Sequence, residues 1–262
     1  MKVITFLSDF GLKDGYVAQM KGVASEISDA KLIDITHEIS PQNVFEGAYI
    51  LRTSVPYFPK GTVHIAVVDP GVGTQRRGIV VTAGKHILVG PDNGLLLPVA
   101  HYLGNYTVYE IENKKYMLSH LSNTFHGRDI FTPIASHISN GVSIEDIGTK
   151  INSYNDIDFG KGEIKGTAIV GKVIHIDRFG NIITNISGDL VLKNISFNDD
   201  ILFSIGNKSV KAVFVVSYGY KKKDMFLATL GSNNFFEIAI NQGNAAESLS
   251  VKPGSIVKIF VN

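Results

Sequence analysis

Residues 67–78 read VVDPGVGTQRRG: an apolar run ends in Asp69, a proline and two glycines follow, and Arg76 and Arg77 come before the last glycine. A carboxylate can orient or deprotonate a small nucleophile. A guanidinium can grip a carboxylate through several N–H groups, and glycine lets the backbone approach a ligand closely. The competing reading is a plain turn. Polar residues also stand where other apolar runs stop, at Ser8-Asp9 and at Pro91-Asp92-Asn93-Gly94, and His126 lies in FHGRD beside a helix start. In parallel α/β sheets, ligands gather beyond the carboxyl ends of strands, so these loops can share one cleft. Each loop has a structural alternative as well. Asp9 can cap a helix starting near Gly15, Asp92-Asn93-Gly94 makes a good turn, and a lone histidine at a helix start is commonly structural.

The elements that must position these residues follow from hydrophobic periodicity. Val3 to Leu7, Lys31 to Ile35, Val63 to Val68, Ile79 to Ala83 and His86 to Val89 read as strands. Tyr16, Val17, Met20, Val23, Ala24 and Ile27 recur at helical spacing. Asn43-Val-Phe-Glu46 has the form of a capping box opening a helix that stops at Pro56. Phe131, Ile134, Ala135 and Ile138 mark a further helix. This alternation predicts an N-terminal α/β domain, residues 1–155, with a largely parallel sheet. The polar, glycine-rich stretch 152–166 reads as a linker. Beyond it, over 166–262, short apolar runs follow without convincing helices, at 168–176, 182–186, 201–205, 210–216, 226–230, 235–240 and 256–261. That spacing predicts a smaller C-terminal all-β domain, barrel-like or a sandwich.

A chain of 262 residues can bury a sizeable core. With 25 Lys and Arg against 24 Asp and Glu, the net charge of +1 offers no overall attraction to nucleic acid or to an anionic membrane. Lys221-Lys222-Lys223 reads as a solvated loop. The absence of cysteine excludes disulfides and thiolate catalysis. No apolar stretch approaches the roughly 20 residues of a spanning helix, and Asp9 interrupts any signal-peptide core, so a cytoplasmic location is expected. The eight histidines show no metal-ligand spacing, and no metal is expected. Gly71-Val-Gly73 fails the dinucleotide-binding pattern because Arg76 stands in place of its last glycine. The run from Gly166 to Lys172 fails the phosphate-loop pattern because Val173 stands where Ser or Thr must reach magnesium.

Together, SDFG at the first strand end, VVDPGVGT with its arginine, GPDNGLL, TFHGRD, IDRFGNIITNI and QGNAAES resemble the S-adenosyl-L-methionine hydroxide adenosyltransferases, relatives of the fluorinase and chlorinase. The six motifs occur in the same order over nearly the whole chain. The resemblance implies an N-terminal α/β domain, a C-terminal barrel-like domain, and a homotrimer with each site between one subunit's N-terminal domain and its neighbour's C-terminal domain. It implies hydrolysis of S-adenosylmethionine to adenosine and methionine by water attacking ribose C5′, without metal or organic cofactor. The family's catalytic set falls on Asp69, Arg76 and His126. Asp9 resembles the residue that grips the ribose hydroxyls. Asp177 and Asn181 resemble contacts to the methionine amino group and the adenine edge, and Phe179 and Tyr218 resemble rings flanking adenine. The backbone at Ala245 resembles the adenine-reading segment. Ser232 is placed to meet the methionine carboxylate, and Glu237 to hold the amino end. For Phe179 and Tyr218, and for Phe235 on the strand face of Glu237, ordinary packing is the competing reading.

Water is a poor nucleophile unless it is deprotonated or tightly oriented. A carboxylate beside a guanidinium is a weak base, whereas imidazole is the better acceptor near neutrality, so the sequence leaves the base open between Asp69 and His126. The working assignment has Asp69 orienting, Arg76 fixing the water or nascent hydroxide, and His126 assisting proton removal. The halogenating relatives carry tyrosine at the place of Asp69, and tyrosine then serine at the place of His126-Gly127. A carboxylate there repels halide. Their ribose-covering tryptophan corresponds to Gln42, and the arginine after their carboxylate-binding serine to Asn233. Two other readings stand beside the hydrolase: a halide-using transferase, and a sensor of S-adenosylmethionine or nucleoside without turnover.

Overall fold

The opening run VITFLS supplies the buried strand β1 (Val3–Ser8), every residue of which is buried. Helix α1 (Tyr16–Ile27) turns Val17, Met20 and Ala24 inward, and β2 (Lys31–Thr36) pairs parallel with β1. Asn43 caps α2 (Val44–Ser54) by accepting from Glu46 N, which is the N-cap half of the capping box read from sequence; Glu46 Oε2 accepts from Ser40 N and Asn43 Nδ2 and not from Asn43 N, and a single 3₁₀ turn carrying Pro56 ends the helix. Strands β3 (Val63–Val67), β4 (Gly78–Ala83) and β5 (His86–Pro91), helix α3 (Leu97–Leu103) and strand β6 (Tyr106–Glu110) follow. A π-turn over Gly127–Phe131 leads into α4 (Thr132–Ser139); α5 (Ile144–Ile147) and β7 (Lys150–Ile151) complete this part.

The computed structural model describes residues 2–260, and the chain divides into two compact units between Asp158 and Phe159. The first unit's sheet runs β2-β1-β3-β5-β4-β6-β7. Its β2-β1-β3-β5 half is parallel, as expected. The β4, β6 and β7 flank is antiparallel, because the tight Gly84-Lys85 turn between β4 and β5 leaves no room for a crossover. Ile4, Phe6 and Ile65 pack with Met20, Phe131 and Ile134 in the core that carries the strand ends.

In the second unit, β8 (Glu163–Lys165) and β9 (Ala168–Ile176) precede β10 (Ile182–Ser187) and the short helix α6 (Gly188–Leu192). Strands β11 (Asp200–Ile205), β12 (Lys208–Phe214), β13 (Phe226–Leu230) and β14 (Phe235–Ile240) lead to helix α7 (Ala245–Leu249) and β15 (Ile256–Phe260). The order β10-β14-β13-β12-β11-β15-β9 is closed by a further β10–β9 pairing, which makes a seven-stranded barrel. Closure removes the free edges an open sheet would present. Two corrections to the sequence reading arise here. The unit contains the five-residue helices α6 and α7, too short to show periodicity, and β8 lies inside the stretch read as linker. The strand end expected at Val261 lies outside the described residues.

Candidate active site

In the first unit a cavity of about 370 Å³ opens at the carboxyl ends of β1 and β3, lined in part by Asp9, Gln42, Asp69, Thr124 and His126. The loop after β3 brings Asp69 back against Arg76. Arg76 Nε donates to both Asp69 oxygens, at 2.9 and 3.0 Å, and Nη2 donates to Oδ2 at 2.5 Å. Their side chains are only 5 % and 11 % exposed, so solvent screens this pair little. Gly73 makes the loop possible. It holds φ at 75°, and a Cβ there would stand 2.3 Å from the Asn123 carbonyl oxygen, so only glycine lets this loop lie against the segment carrying His126.

Arg76 Nη2 also donates to His126 Nδ1 at 2.8 Å. A guanidinium has no acceptor, so Nδ1 must accept, and the proton of the neutral ring sits on Nε2. Burial, then the adjacent Arg76 cation, push the His126 pKa below the ordinary imidazole value, against the opposing pull of Asp69 and Asp129. Arg76 itself lies behind the wall, its guanidinium carbon 5.1 Å above the centre of the Phe131 ring. His126 stands at the entry to the π-turn, a distortion found often at functional sites.

The alternative reading of Asp9 as a cap is excluded. Gly15 occupies the N-cap of α1 without a side-chain cap, while Asp9 Oδ2 accepts from Gln42 N at 2.8 Å and the residue faces the cavity. Asp92 does not share this cleft. It is 2 % exposed and is held by Arg77 and by Asn155 N, so its loop is structural. The sequence reading missed the aromatic wall: Phe10, Tyr16 and Phe125 meet edge to face or tilted, with centroids 5.2–6.0 Å apart. Their only signal was proximity in sequence to Asp9 and His126.

The second unit has a separate cavity of about 760 Å³, lined by Asp177, Phe179, Asn181, Tyr218 and the 240–244 segment. Asp177 accepts from Phe179 N, Asn181 N and Asn181 Nδ2, each at 2.9 Å, which fixes the β9–β10 turn. Gly180 (φ 81°) lets Asn244 pack directly on that turn. Phe179 is 75 % exposed, an unusual position for a large ring. Tyr218 donates to Glu237 Oε1 at 2.5 Å, and burial raises the Glu237 pKa. Glu237, Ser232 and Ala245 do not line the cavity; Ser232 is exposed in a turn and Ala245 is buried at the start of α7. Gln242 and Asn244 line it and had no sequence signal beyond the QGNAAES motif. Among the described residues, no group of three or more His, Asp or Glu side chains is arranged to hold a metal, and no helix is long and apolar enough to cross a membrane.

The SAM hydroxide adenosyltransferase N-terminal domain matches residues 4–148, and the C-terminal domain of the same family matches 171–258. The chain is 40% identical to an (R)-S-adenosyl-L-methionine hydrolase of Methanocaldococcus jannaschii, over 96% of this chain and 93% of that protein. A crystal structure of an uncharacterized conserved protein from Thermotoga maritima superposes with a TM-score of 0.95 at 39% identity, covering 98% of this chain and 100% of that one. A fluorinase of an Actinoplanes species is more distant, 28% identical over 70% of this chain and 71% of the fluorinase. The chain belongs to the SAM hydroxide adenosyltransferase family.

Proposed function

We propose that this protein hydrolyses S-adenosyl-L-methionine at ribose C5′, giving adenosine and L-methionine. The observation that carries the reading is the hydrogen-bonded series Asp69–Arg76–His126, whose two ends face one cavity. It is supported by membership of a family in which a 40% identical relative bears the hydrolase name. In this reading a water donates one hydrogen to Asp69 and accepts from His126 Nε2–H, leaving its second lone pair for C5′. As the O–C5′ bond forms, the C5′–S bond breaks. Sulfur takes the electron pair and becomes the neutral thioether of methionine, while the water proton passes to Asp69 and on to solvent. A partly dry cavity favours this step, because the sulfonium charge is lost along the path.

The geometry favours roles for Arg76 and His126 that differ from the sequence assignment. Arg76 Nε and Nη2 are engaged by Asp69 and His126, which makes Arg76 a positioning residue and not the group that fixes water. His126 Nδ1 is occupied, so the imidazole serves as donor and Asp69 as acceptor. The Asp69 carboxylate at the cavity wall also repels halide. Asp9 suits the ribose hydroxyls, since both of its oxygens accept. The second unit's cavity suits the adenine and amino-acid ends of the same ligand, and in our reading a neighbouring subunit of a homotrimer supplies it. A cytoplasmic setting and a cofactor-free reaction belong to the same proposal.

The test is incubation of purified protein with S-adenosylmethionine in halide-free buffer and again in chloride. Adenosine formed at equal rates in both supports the reading. Ligand bound but unchanged, or 5′-chloro-5′-deoxyadenosine appearing with chloride, contradicts it.

A further inference from the structure

Ser8, the last residue of β1, is fully buried, and its hydroxyl lies 2.7 Å from His37 Nδ1. His37 Nε2 lies 3.0 Å from Asp34 Oδ1, and Asp34 Oδ2 meets Lys21 Nζ at 2.5 Å. Serine, histidine and aspartate in series have the composition of a nucleophilic triad. Burial removes that reading: with Ser8 0 % and His37 3 % exposed, no substrate reaches the hydroxyl. Its oxygen is also turned back on its own loop, accepting from Phe10 N at 3.3 Å.

The donors and acceptors of this series form one consistent set. Burial opposes ionisation of Asp34, but Lys21 and His37 together hold its carboxyl below the ordinary value. A carboxylate has no proton to give, so Asp34 accepts from His37 Nε2, and Ser8 Oγ meets the other ring nitrogen. Two more links join the same segments. Gly11 N donates to the His37 carbonyl at 2.8 Å, and Gln42 N donates to Asp9 Oδ2 at 2.8 Å. Asp9 is thus bracketed by Ser8, Phe10 and Gly11, each of which is tied to the series or to His37 itself. Asp9, Phe10 and Gln42 in turn line the first unit's cavity.

We propose that His37, held by Asp34 and acting through Ser8, is a positioning residue that fixes the Asp9 carboxylate in the substrate cavity. The proposal rests on the reading of Asp9 as the ribose-binding group. None of the three touches substrate; they set where Asp9 stands. Buried hydrogen-bond series of this kind hold geometry, because leaving one member unpaired is costly.

The experiment is a double-mutant cycle on S-adenosylmethionine hydrolysis by the full chain: Ser8→Ala in the wild type and in Asp9→Ala, with melting temperatures to confirm folding. In the wild-type background Ser8→Ala lowers kcat/KM about fivefold, the worth of one hydrogen bond, with the change mainly in KM. In the Asp9→Ala background the same substitution changes kcat/KM less than about twofold, because the group being positioned is gone. A merely structural Ser8 moves both backgrounds alike, so equal losses in the two, or no loss in either, overturn the proposal. Should Ser8→Ala not fold, Asp34→Ala, which removes an exposed carboxylate and with it the acceptor of His37 Nε2, replaces it in the cycle, with the same losses expected and the same results overturning the proposal. An Asp9→Ala enzyme with full kcat/KM overturns the ribose reading of Asp9 first, and this inference with it.

Discussion

At Asp69 the chemistry turns on which way the hydrogen bonds run. Arg76 can only donate, so its contact with His126 Nδ1 fixes the tautomer of a ring whose pKa burial and the guanidinium already depress. The sequence located these three side chains from one motif pair. It left the base open, since which ring nitrogen meets Arg76 depends on side-chain geometry that spacing does not carry. A donor role at Nε2 makes a prediction distinct from a base role. Glutamine can present an amide N–H at similar reach, so His126→Gln keeps turnover about tenfold above His126→Ala, whereas loss of a base would disable both equally. The same role fixes the sign of the expected pH dependence. With its folded pKa lowered from 6.5, His126 stays neutral near neutrality, and its contribution to kcat/KM is lost only in acid, as protonation of Nδ1 turns it against Arg76. That step of the acid limb is absent from the His126→Gln profile of kcat/KM against pH.

Among the elements, strands whose residues are buried throughout, such as β1 and β3, were legible because apolar runs bounded by turn residues have few alternatives. Helix α2 was legible through its cap. Helix α3 and strand β6 were not: Pro98 falls in the first turn of a seven-residue helix, where it is tolerated, yet in sequence it reads as a breaker. The direction of β4 was also hidden, because pairing sense is set by connection length and not by strand composition. One buried feature of these elements makes a stability prediction. His64 on β3 is fully buried, accepts or donates at Thr5 Oγ1 (2.7 Å), and meets His86 Nδ1 at 3.1 Å. Burial, with a smaller contribution from His86, pushes its pKa down to about 3. Below pH 6.5 the unfolded chain binds a proton that the folded His64 refuses, so this contribution to stability falls as pH drops from about 6.5 towards 3. Denaturant unfolding of wild type against His64→Gln checks it. The wild type loses about 1.4 kcal/mol more per pH unit across that window, and parallel curves contradict the account.

For the whole molecule, the cavity-lining residues of the proposed site fall in two units of the chain, and the proposal assigns each ligand to units of neighbouring subunits. Mixing tests this. Asp69→Asn and Asn181→Ala each disable one half of the site, and co-refolding equal amounts of the two restores activity in about one quarter of sites of a randomly assembled cyclic trimer. Activity no higher than the sum of the two variants alone contradicts a shared site. The decisive question is whether water itself attacks ribose carbon, or whether the buried carboxylate attacks first and is then released as an ester. Single-turnover reaction of excess enzyme with S-adenosylmethionine in ¹⁸O-water, read by mass spectrometry, separates the two. Direct attack predicts adenosine labelled at its 5′ oxygen in that first turnover, whereas unlabelled adenosine, its oxygen drawn from Asp69, would contradict the account.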